Sequence, residues 1–289
     1  MIIEKWAIIT GADGGLGTEI TRAVAKAGYH VIMACYNAEK AEAVRLRLVK
    51  ETGNPNLEVM TIDLSSMRTV VAFAERIRER KITVSLLMNN AGTMETGLHT
   101  TVDGFERTVS VNYMGAYLLT RKLIPFMTRG TRIVNMVSCT YTIGRIDLPD
   151  FFYRGKEGGF WRIPVYSNTK LALLLFTLEL SEQLREKGIS VNAADPGIVS
   201  TDIITMHAWF DPLTDIFFRP FIRKPAKGAS TAIGLLLDEK EEGVTGQLYV
   251  NNRPKKLSAK YLHPWQREQL WEATERSVAH WLVEDTMWT

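Results

Sequence analysis

The sequence predicts an α/β fold in which one doubly wound parallel sheet is flanked by helices. Short apolar runs alternate with helical patterns along the chain, beginning with the run Trp6–Ile9 and the helical pattern Thr18–Gly28. This alternation is typical of strands joined by helical crossovers, which build a parallel sheet with helices on both faces. No repeat, linker or low-complexity segment divides the 289 residues, so we expect a single domain over residues 1–289.

The composition indicates a soluble globular protein without a nucleic-acid partner. Hydrophobic residues make up 46% of the chain, and the formal net charge is only +3, with Lys and Arg scattered among Asp and Glu. Cys35 and Cys139 lie far apart, in no metal-binding or redox spacing, so we expect no metal site and a reducing, cytoplasmic location. The strand-like start leaves no room for a signal peptide, and no apolar run is long enough for a transmembrane segment.

A glycine-rich loop, Thr10–Gly17, follows the first predicted strand and opens the first predicted helix. Its glycines allow a tight turn and let backbone N–H groups approach a phosphate, and the helix N-terminus adds partial positive charge. The expected ligand is the pyrophosphate of a dinucleotide in a Rossmann-type fold, although the spacing Gly-x-x-x-Gly-x-Gly differs from the commoner Gly-x-Gly-x-x-Gly. A glycine-rich turn without a ligand is the alternative.

The end of the second predicted strand, His30–Cys35, is the place where dinucleotide folds distinguish NAD from NADP. A carboxylate there binds the adenosine ribose, whereas an arginine accepts the 2′-phosphate. This chain has Cys35-Tyr36-Asn37 and therefore neither group. The missing acid removes a repulsion against NADP, and Lys40 can reach a phosphate, so the sequence slightly favours NADP over NAD. Adenine packing by Tyr36 and a surface position for Lys40 are equally good explanations.

Polar residues also follow the third and fourth predicted strands. Asp63 can accept a hydrogen bond from an adenine amino group or simply cap the next helix, and Asn89–Gly92 suits either a ligand contact or an ordinary turn. Asp103 and Glu106 have the spacing of a helix N-cap with an acid three residues on. Asn112 lies inside the helix that follows, where asparagine is unfavourable. It indicates either a kink that exposes a carbonyl to an internal water or a satisfied polar core residue.

A tyrosine and a lysine four residues apart, Tyr166 and Lys170, open an apolar helical run and therefore share one helix face. A phenol has a reference pKa of about 10, and a neighbouring ammonium group favours the phenolate and lowers that value. The pair can then exchange a proton with a hydroxyl or carbonyl group. The fifth predicted strand, Arg132–Val137, delivers Ser138 at its C-terminal end.

Aromatic residues follow Ser138 and the sixth predicted strand. We expect the loop Ile146–Phe152 to form a pocket wall and residues 203–224 to form a lid over an apolar substrate, which leaves peripheral membrane contact possible. Core and subunit packing explain the same aromatics equally well. The residues concerned are Phe151, Phe152, Trp161, Trp209, Phe210, Phe217 and Phe218.

With these motifs in this order, the sequence resembles the short-chain dehydrogenase/reductase family over essentially its whole length. The motifs are Thr10–Gly17, Asn89–Gly92, Asn112, Ser138, Tyr166 with Lys170, and Pro196-Gly197. The long stretch between Ser138 and Tyr166, the run Gly246–Val250 and the ending Leu270-Trp271-Glu272 look most like the retinol dehydrogenase branch. That branch usually has arginine where this chain has Tyr36.

The resemblance implies a division of the site. The glycine loop would hold the pyrophosphate and ribose, and Asp63 and Leu64 would hold the adenine. Asn90 and Gly92 would lie alongside the ribose, and Pro196–Thr201 would hold the nicotinamide end. The candidate coenzyme contacts are Gly11, Asp13, Gly15, Leu16, Gly17, Tyr36, Asp63, Leu64, Asn90, Ala91, Gly92, Tyr166, Lys170, Pro196, Gly197, Ile198 and Thr201.

The implied function is reversible hydride transfer between a nicotinamide coenzyme and a carbonyl or alcohol carbon of a small molecule. Ser138 would donate a hydrogen bond to the substrate oxygen, and Tyr166 would exchange the proton. Lys170 would lower the pKa of Tyr166 and bind the ribose, and Asn112 would hold a water. A catalytically silent dinucleotide-binding scaffold is the alternative, and a nucleotide-sugar epimerase or dehydratase is less well supported. The apolar run Leu171–Leu180 is a possible homo-oligomer contact.

Overall fold

The computed structural model describes residues 4–148, 150–153, 161–197 and 224–282, and these ranges contain eight strands of one sheet. The strands are β1 (Trp6–Thr10), β2 (His30–Cys35), β3 (Leu57–Thr61), β4 (Val84–Asn89), β5 (Met127–Met136), β6 (Ser190–Asp195), β7 (Leu248–Val250) and β8 (Arg253–Pro254). Their order across the sheet is β3-β2-β1-β4-β5-β6-β7-β8, and only the pair β7–β8 is antiparallel. The predicted doubly wound sheet is confirmed.

Helices connect the strands. They are α1 (Gly15–Lys26), α2 (Ala38–Thr52), α3 (Met67–Glu79), α4 (Arg107–Val109), α5 (Gly115–Leu123), α6 (Arg162–Gln183), α7 (Pro225–Leu237), α8 (Ala259–Leu262) and α9 (Pro264–Leu282). A π-helical turn, Ser110–Met114, joins α4 to α5, and a 3₁₀ turn, Cys139–Ile143, follows β5. None of the helices in the described ranges combines the length and apolar character needed to cross a bilayer.

Strand order reverses at β1, which places the functional end of the sheet. Strands β2 and β3 are added on one side of β1, and β4 lies on the other. The loops that leave β1 and β4 therefore run in opposite directions and open a crevice at the carboxyl ends of the strands. Gly11 and Asn90, the residues just beyond these ends, meet at that crevice.

Two apolar cores cover the two faces of the sheet. Ile8 and Ile32 point to one side, where α3, α5, α6 and α9 pack, and Ala7 and Ile9 point to the other, where α1, α2 and α7 pack. Because successive strand side chains alternate between faces, a strand buried on both sides reads as a continuous apolar run. This is why the short runs in the sequence marked the strands correctly.

The C-terminal helix α9 covers the apolar run of α6. The Trp271 ring stacks on Phe176 at 5.9 Å between centroids, and Arg267 donates to Glu182 at 2.7 Å. Within Leu171–Leu180 every side chain except that of Glu179 is buried inside the single chain. A homo-oligomer through this helix stays a prediction, and a partner would meet α9 rather than the apolar side chains of α6.

Several local expectations differ from the structure. Glu106, not Asp103, caps α4, because its carboxylate accepts from Val109 N–H at 2.8 Å. The Asp103 carboxylate instead accepts from Met67 N–H at 2.7 Å and caps α3. The missed strand β8 follows a two-residue turn, Asn251-Asn252, with φ of 55° and 60° at the two residues.

The predicted aromatic wall is wrong for its two phenylalanines. Phe151 and Phe152 are 0% and 2% exposed, and the Phe151 ring packs edge-on against Tyr113 at 5.7 Å. They belong to the core, which is the alternative that the sequence left open. The predicted lid, apart from Lys224, lies outside the described residues, as do Ile198 and Thr201, so the single domain over 1–289 stays a prediction.

Candidate active site

The glycine loop after β1 is closed by contacts that leave no room for a side chain at Gly11 or Gly17. Gly11 has φ of +61°, and a Cβ there would lie 3.0 Å from the Cα of Ala91. A Cβ on Gly17 would lie 2.0 Å from the carbonyl oxygen of Gly11. The first turn of α1 therefore packs directly on the loop, and the loop packs directly on the segment that follows β4.

Hydrogen bonds lock the ends of β1 and β4 together. The Thr10 hydroxyl accepts from the backbone N–H groups of Asn90 and Ala91 at 2.9 and 3.0 Å. The Asn90 side chain donates to the carbonyl oxygens of Thr10 and Gly11 at 2.9 and 3.1 Å. Asn90 thus shapes the loop with its amide, a contact that the sequence did not predict, and Thr10 was missed as its partner.

These loops border a cavity of about 580 Å³ at the carboxyl ends of the strands. Sixteen of the residues predicted for the site line this cavity, so the motifs lie together in space. They are Gly11, Asp13, Gly15, Leu16, Gly17, Tyr36, Asp63, Leu64, Asn90, Ala91, Gly92, Ser138, Tyr166, Lys170, Pro196 and Gly197.

The cavity fits a dinucleotide at its glycine-lined side. Helix α1 starts at Gly15, and the N-cap residue Gly14 has no side chain to cap it. The first N–H groups of the helix therefore stay available for an anion. A side chain on Gly11 or Gly17 would fill this cradle. Among the described residues no group of three His, Cys, Asp or Glu side chains is arranged to hold a metal ion.

At the end of the cavity beside β2, carboxylates predominate. The Asp63 carboxylate accepts from the Ser65 N–H and hydroxyl at 2.8 and 2.6 Å, which orients it in the loop. The Asp13 carboxylate lies 3.6 Å from the Lys40 ammonium group. Tyr36 lines the same end and is 70% exposed.

At the opposite end, beside β5, Ser138, Tyr166 and Lys170 meet. Ser138 follows β5 and lies close enough to Tyr166 to lower its pKa, while the Lys170 ammonium lies 5.4 Å from the centre of the Tyr166 ring. Lys170 donates to the carbonyl oxygen of Met136 at 2.9 Å. Three side chains from a helix and a separate strand thus converge beside the glycine-lined cavity.

The pKa values of the tyrosine and the lysine are set mainly by burial. Burial raises the pKa of Tyr166 to about 12, and the hydrogen bond with Ser138 offsets only part of that rise. Burial lowers the pKa of Lys170 to about 8, against the attraction of Asp195. The pKa of Tyr166 in the protein alone is therefore raised, because loss of hydration is the largest effect on this group.

Asn112 lies in the π-helical turn, and its amide braces the segment after β4. Its oxygen accepts from the Thr93 N–H at 2.7 Å, and its nitrogen donates to the Thr93 carbonyl at 2.8 Å and to the Thr169 hydroxyl at 3.1 Å. A Cβ on Gly92 would lie 3.3 Å from the Asn112 oxygen and 3.6 Å from the Lys170 nitrogen. Both alternatives for Asn112 hold in part: the helix is irregular there, and the amide is satisfied in the core.

Further cavity residues were not predicted from the sequence. Glu95 and Arg107 form an ion pair at 3.6 Å, and Cys139 and Thr140 follow Ser138 along the wall. Glu95 and Arg107 belong to no periodic pattern or glycine motif, so nothing in the sequence marked them. Gly197 has φ of +73°, and its N–H donates to the Asp195 carboxylate at 2.9 Å, which fixes the turn after β6.

Comparison with known proteins agrees with this geometry. The family model for short chain dehydrogenases matches residues 5–150 and 154–208. Retinol dehydrogenase 13 of Mus musculus is 33% identical over 281 residues, covering 95% of this chain and 84% of that protein. Polyprenol dehydrogenase of Homo sapiens is 32% identical over 278 residues, covering 93% and 83%.

A solved structure supports the same assignment. An uncharacterised protein from Mycobacterium paratuberculosis superimposes with a TM-score of 0.76 at 27% identity, over 96% of this chain and 94% of that one. The catalytically silent scaffold gains no support from these comparisons. The chain belongs to the short-chain dehydrogenase/reductase family, within the group that contains the retinol dehydrogenases, and is an NAD(P)-dependent oxidoreductase.

Proposed function

We propose that Ser138, Tyr166 and Lys170 carry out the proton chemistry of carbonyl reduction in this oxidoreductase. The observation that carries the proposal is the convergence of the two hydroxyl groups and a buried ammonium group at one end of a glycine-lined cavity. The coenzyme, when bound, supplies the hydride. All other steps fall to side chains of this chain.

Tyr166 is suited to be the acid of this reaction. Its pKa of about 12 keeps the phenol protonated at neutral pH, so a proton is held at the hydroxyl until negative charge grows on the substrate oxygen. Ser138, whose side chain lies close to that hydroxyl, donates to the same substrate oxygen and stabilises the charge. Lys170, 5.4 Å from the ring centre, stabilises the phenolate that remains.

Asn112 acts through Gly92 and Thr93 rather than on the substrate. Two of its hydrogen bonds hold the backbone of Thr93, the neighbour of Gly92, and the third goes to the Thr169 hydroxyl. We assign Asn112 as a positioning residue. We also propose that it holds the water that the family resemblance implies.

The test is the variant Tyr166→Phe, which keeps the ring and removes the acid. We expect kcat/KM for carbonyl reduction to fall by about 10²–10⁴-fold while the coenzyme dissociation constant changes little. Tyr141→Phe is the matched control, since it removes a buried phenol close to Ser138 that does not line the cavity. Undiminished turnover in Tyr166→Phe would refute the assignment.

The substrate proposed for this site is a carbonyl compound or alcohol with an apolar body. Met94, Val111, Val137 and Ile163 supply apolar lining near Tyr166. Two relatives are named for alcohols of this kind, retinol and polyprenol. A series of aldehydes of increasing chain length tests the proposal, with kcat/KM expected to rise with length. A preference for short hydroxylated aldehydes would contradict it.

We also place the enzyme in the cytoplasm, with peripheral membrane contact as the alternative. The free thiols Cys35 and Cys139 support a reducing compartment. Fractionation of cells that produce the tagged full chain tests this: recovery in the cytosolic fraction is expected. Recovery with membranes that is released by high salt or alkaline wash would favour peripheral contact instead.

A further inference from the structure

Negatively charged side chains from two other loops line the end of the cavity beside β2, although β2 itself ends without an acidic residue. Asp13, in the glycine loop, and Asp63, after β3, both line it. The Asp13 side chain is only 14% exposed, whereas that of Lys40, the cation next to it, is 53% exposed. Cys35, the last residue of β2, and Tyr36, which follows it, contribute no cation.

The loop that carries Asp13 is tied to the end of β2, where the Gly11 N–H donates to the Ala34 carbonyl at 2.8 Å. The Cys35 side chain is 1% exposed, and burial together with the Asp13 carboxylate raises the pKa of this thiol to about 12. The carboxylate therefore lies against the last residue of β2. In dinucleotide-binding folds, the acid that binds the adenosine ribose is placed at this strand end. Asp13 reaches the same place from the loop after β1.

We propose that Asp13 makes this enzyme select NAD over NADP. Its carboxylate would accept a hydrogen bond from the 2′-hydroxyl of the adenosine ribose, and it would repel a 2′-phosphate at that position. The inference rests on the use of a nicotinamide dinucleotide by the family, and it does not depend on the roles proposed for Ser138, Tyr166 and Lys170.

The nearby cation does not reverse this charge balance. The Lys40 ammonium is 3.6 Å from the Asp13 oxygen, so a 2′-phosphate would have to compete with a carboxylate for it. The Lys40 backbone N–H donates to the Asn37 side chain at 2.9 Å, so it is not free to bind a phosphate either. Tyr36, 70% exposed, offers a ring where a guanidinium would be needed to hold the phosphate.

Parallel titrations of the full chain with NADH and NADPH, followed by coenzyme fluorescence, test the proposal. We expect the wild type to bind NADH at least tenfold more tightly than NADPH, and added salt to narrow this gap because it screens the repulsion. Asp13→Asn keeps the shape and removes the charge, so it should narrow the gap at least tenfold, mainly through tighter NADPH binding. Thermal melting of each variant verifies folding.

Tyr36→Arg is a second variant that does not alter the glycine loop. It adds a phosphate-binding cation at an exposed position and should strengthen NADPH binding at least tenfold relative to NADH binding. Equal wild-type affinities for the two coenzymes, or an Asp13→Asn variant with unchanged discrimination, would overturn the proposal. If neither coenzyme binds, both this proposal and the use of a nicotinamide dinucleotide by this enzyme are overturned. Loss of turnover with coenzyme binding intact would contradict only the roles proposed for Ser138, Tyr166 and Lys170.

Discussion

Lys170 and Tyr166 show that burial outweighs proximity in this site. The two side chains are one helical turn apart, as the sequence predicted, but loss of hydration shifts both groups toward their neutral forms. Keeping an ammonium group buried costs folding free energy. The protein carries that cost at neutral pH, where the lysine is still largely protonated.

This cost gives a measurable dependence of stability on pH. The pKa of Lys170 falls from 10.5 to about 8 on folding, so between these values the unfolded chain binds more protons and the free energy of unfolding rises with pH. We expect the free energy of unfolding of the wild type to rise by about 3 kcal/mol relative to that of Lys170→Met between these two pH values, at about 1.4 kcal/mol per pKa unit. Urea unfolding of both proteins from pH 7.5 to 10.5 gives the difference.

An exposed lysine supplies the control for the lost charge. Lys50→Met on α2 removes the same group without opening the core. If the difference between wild type and Lys170→Met stays constant with pH, the buried ammonium is not responsible for the stability cost.

The positions of the reacting groups were predictable at this scale, and their protonation was not. Helical spacing fixes Tyr166 beside Lys170, and a strand end fixes Ser138. The depth of burial depends on which elements pack above the cavity, and no local spacing encodes that depth. Asp13 was predicted to be a coenzyme contact, but its position beside Cys35 follows only from the folded structure.

Among the elements, the glycine loop and α1 form the most sterically constrained unit. Gly17 lies inside α1, where an alanine would ordinarily favour the helix. Here the added methyl group would overlap the Gly11 carbonyl oxygen at 2.0 Å. The loop can retain its shape only if that residue has no side chain.

Gly17→Ala is therefore expected to destabilise the protein by about 2 kcal/mol or more and to abolish tight coenzyme binding. Gly14→Ala is the matched control in the same loop: its Cβ would lie at an ordinary 3.4 Å from the same oxygen, and its φ of −82° suits any residue. We expect it to cost less than about 1 kcal/mol. Equal losses in chemical denaturation and coenzyme titration would contradict the steric explanation.

Element boundaries were predictable where the signal was local. The signals for β1 to β7 and for the glycine loop depend on neighbouring residues, and the structure contains these elements, whereas β8 was missed. The cap of α3 comes from Asp103, 36 residues from the Met67 N–H that it binds, so the sequence near α3 could not indicate it. The π-helical turn was foreshadowed by Asn112, although propensity alone did not separate a kink from a satisfied core amide.

For the whole molecule, α9 links the end of the chain to the site. The Tyr113 hydroxyl, in the π-helical turn, lies 2.9 Å from the Thr274 hydroxyl on α9, and both are fully buried. Because Thr274 donates to the Leu270 carbonyl at 2.7 Å, Tyr113 is the donor in their bond. The turn that positions Asn112 is thus supported by a helix 161 residues away.

A double-mutant cycle measures this link. Thr274→Val leaves the Tyr113 hydroxyl buried without its acceptor and should cost about 1–3 kcal/mol. Tyr113→Phe removes the donor while Thr274 keeps its bond to Leu270, so it should cost less, about 0.5–1.5 kcal/mol. The double variant should recover part of the Thr274→Val loss. Strictly additive losses in urea unfolding would show that the two hydroxyl groups do not interact.

The cover that α9 gives α6 also bears on how the chain matures. Translation must add the residues from Phe176 to Trp271 before the two rings can stack, which takes roughly 5–20 s at the usual speed of synthesis. During that interval the nascent polypeptide exposes the apolar face of α6 that α9 covers in the folded protein. We therefore expect chains truncated before α9 to aggregate rather than to yield a smaller enzyme.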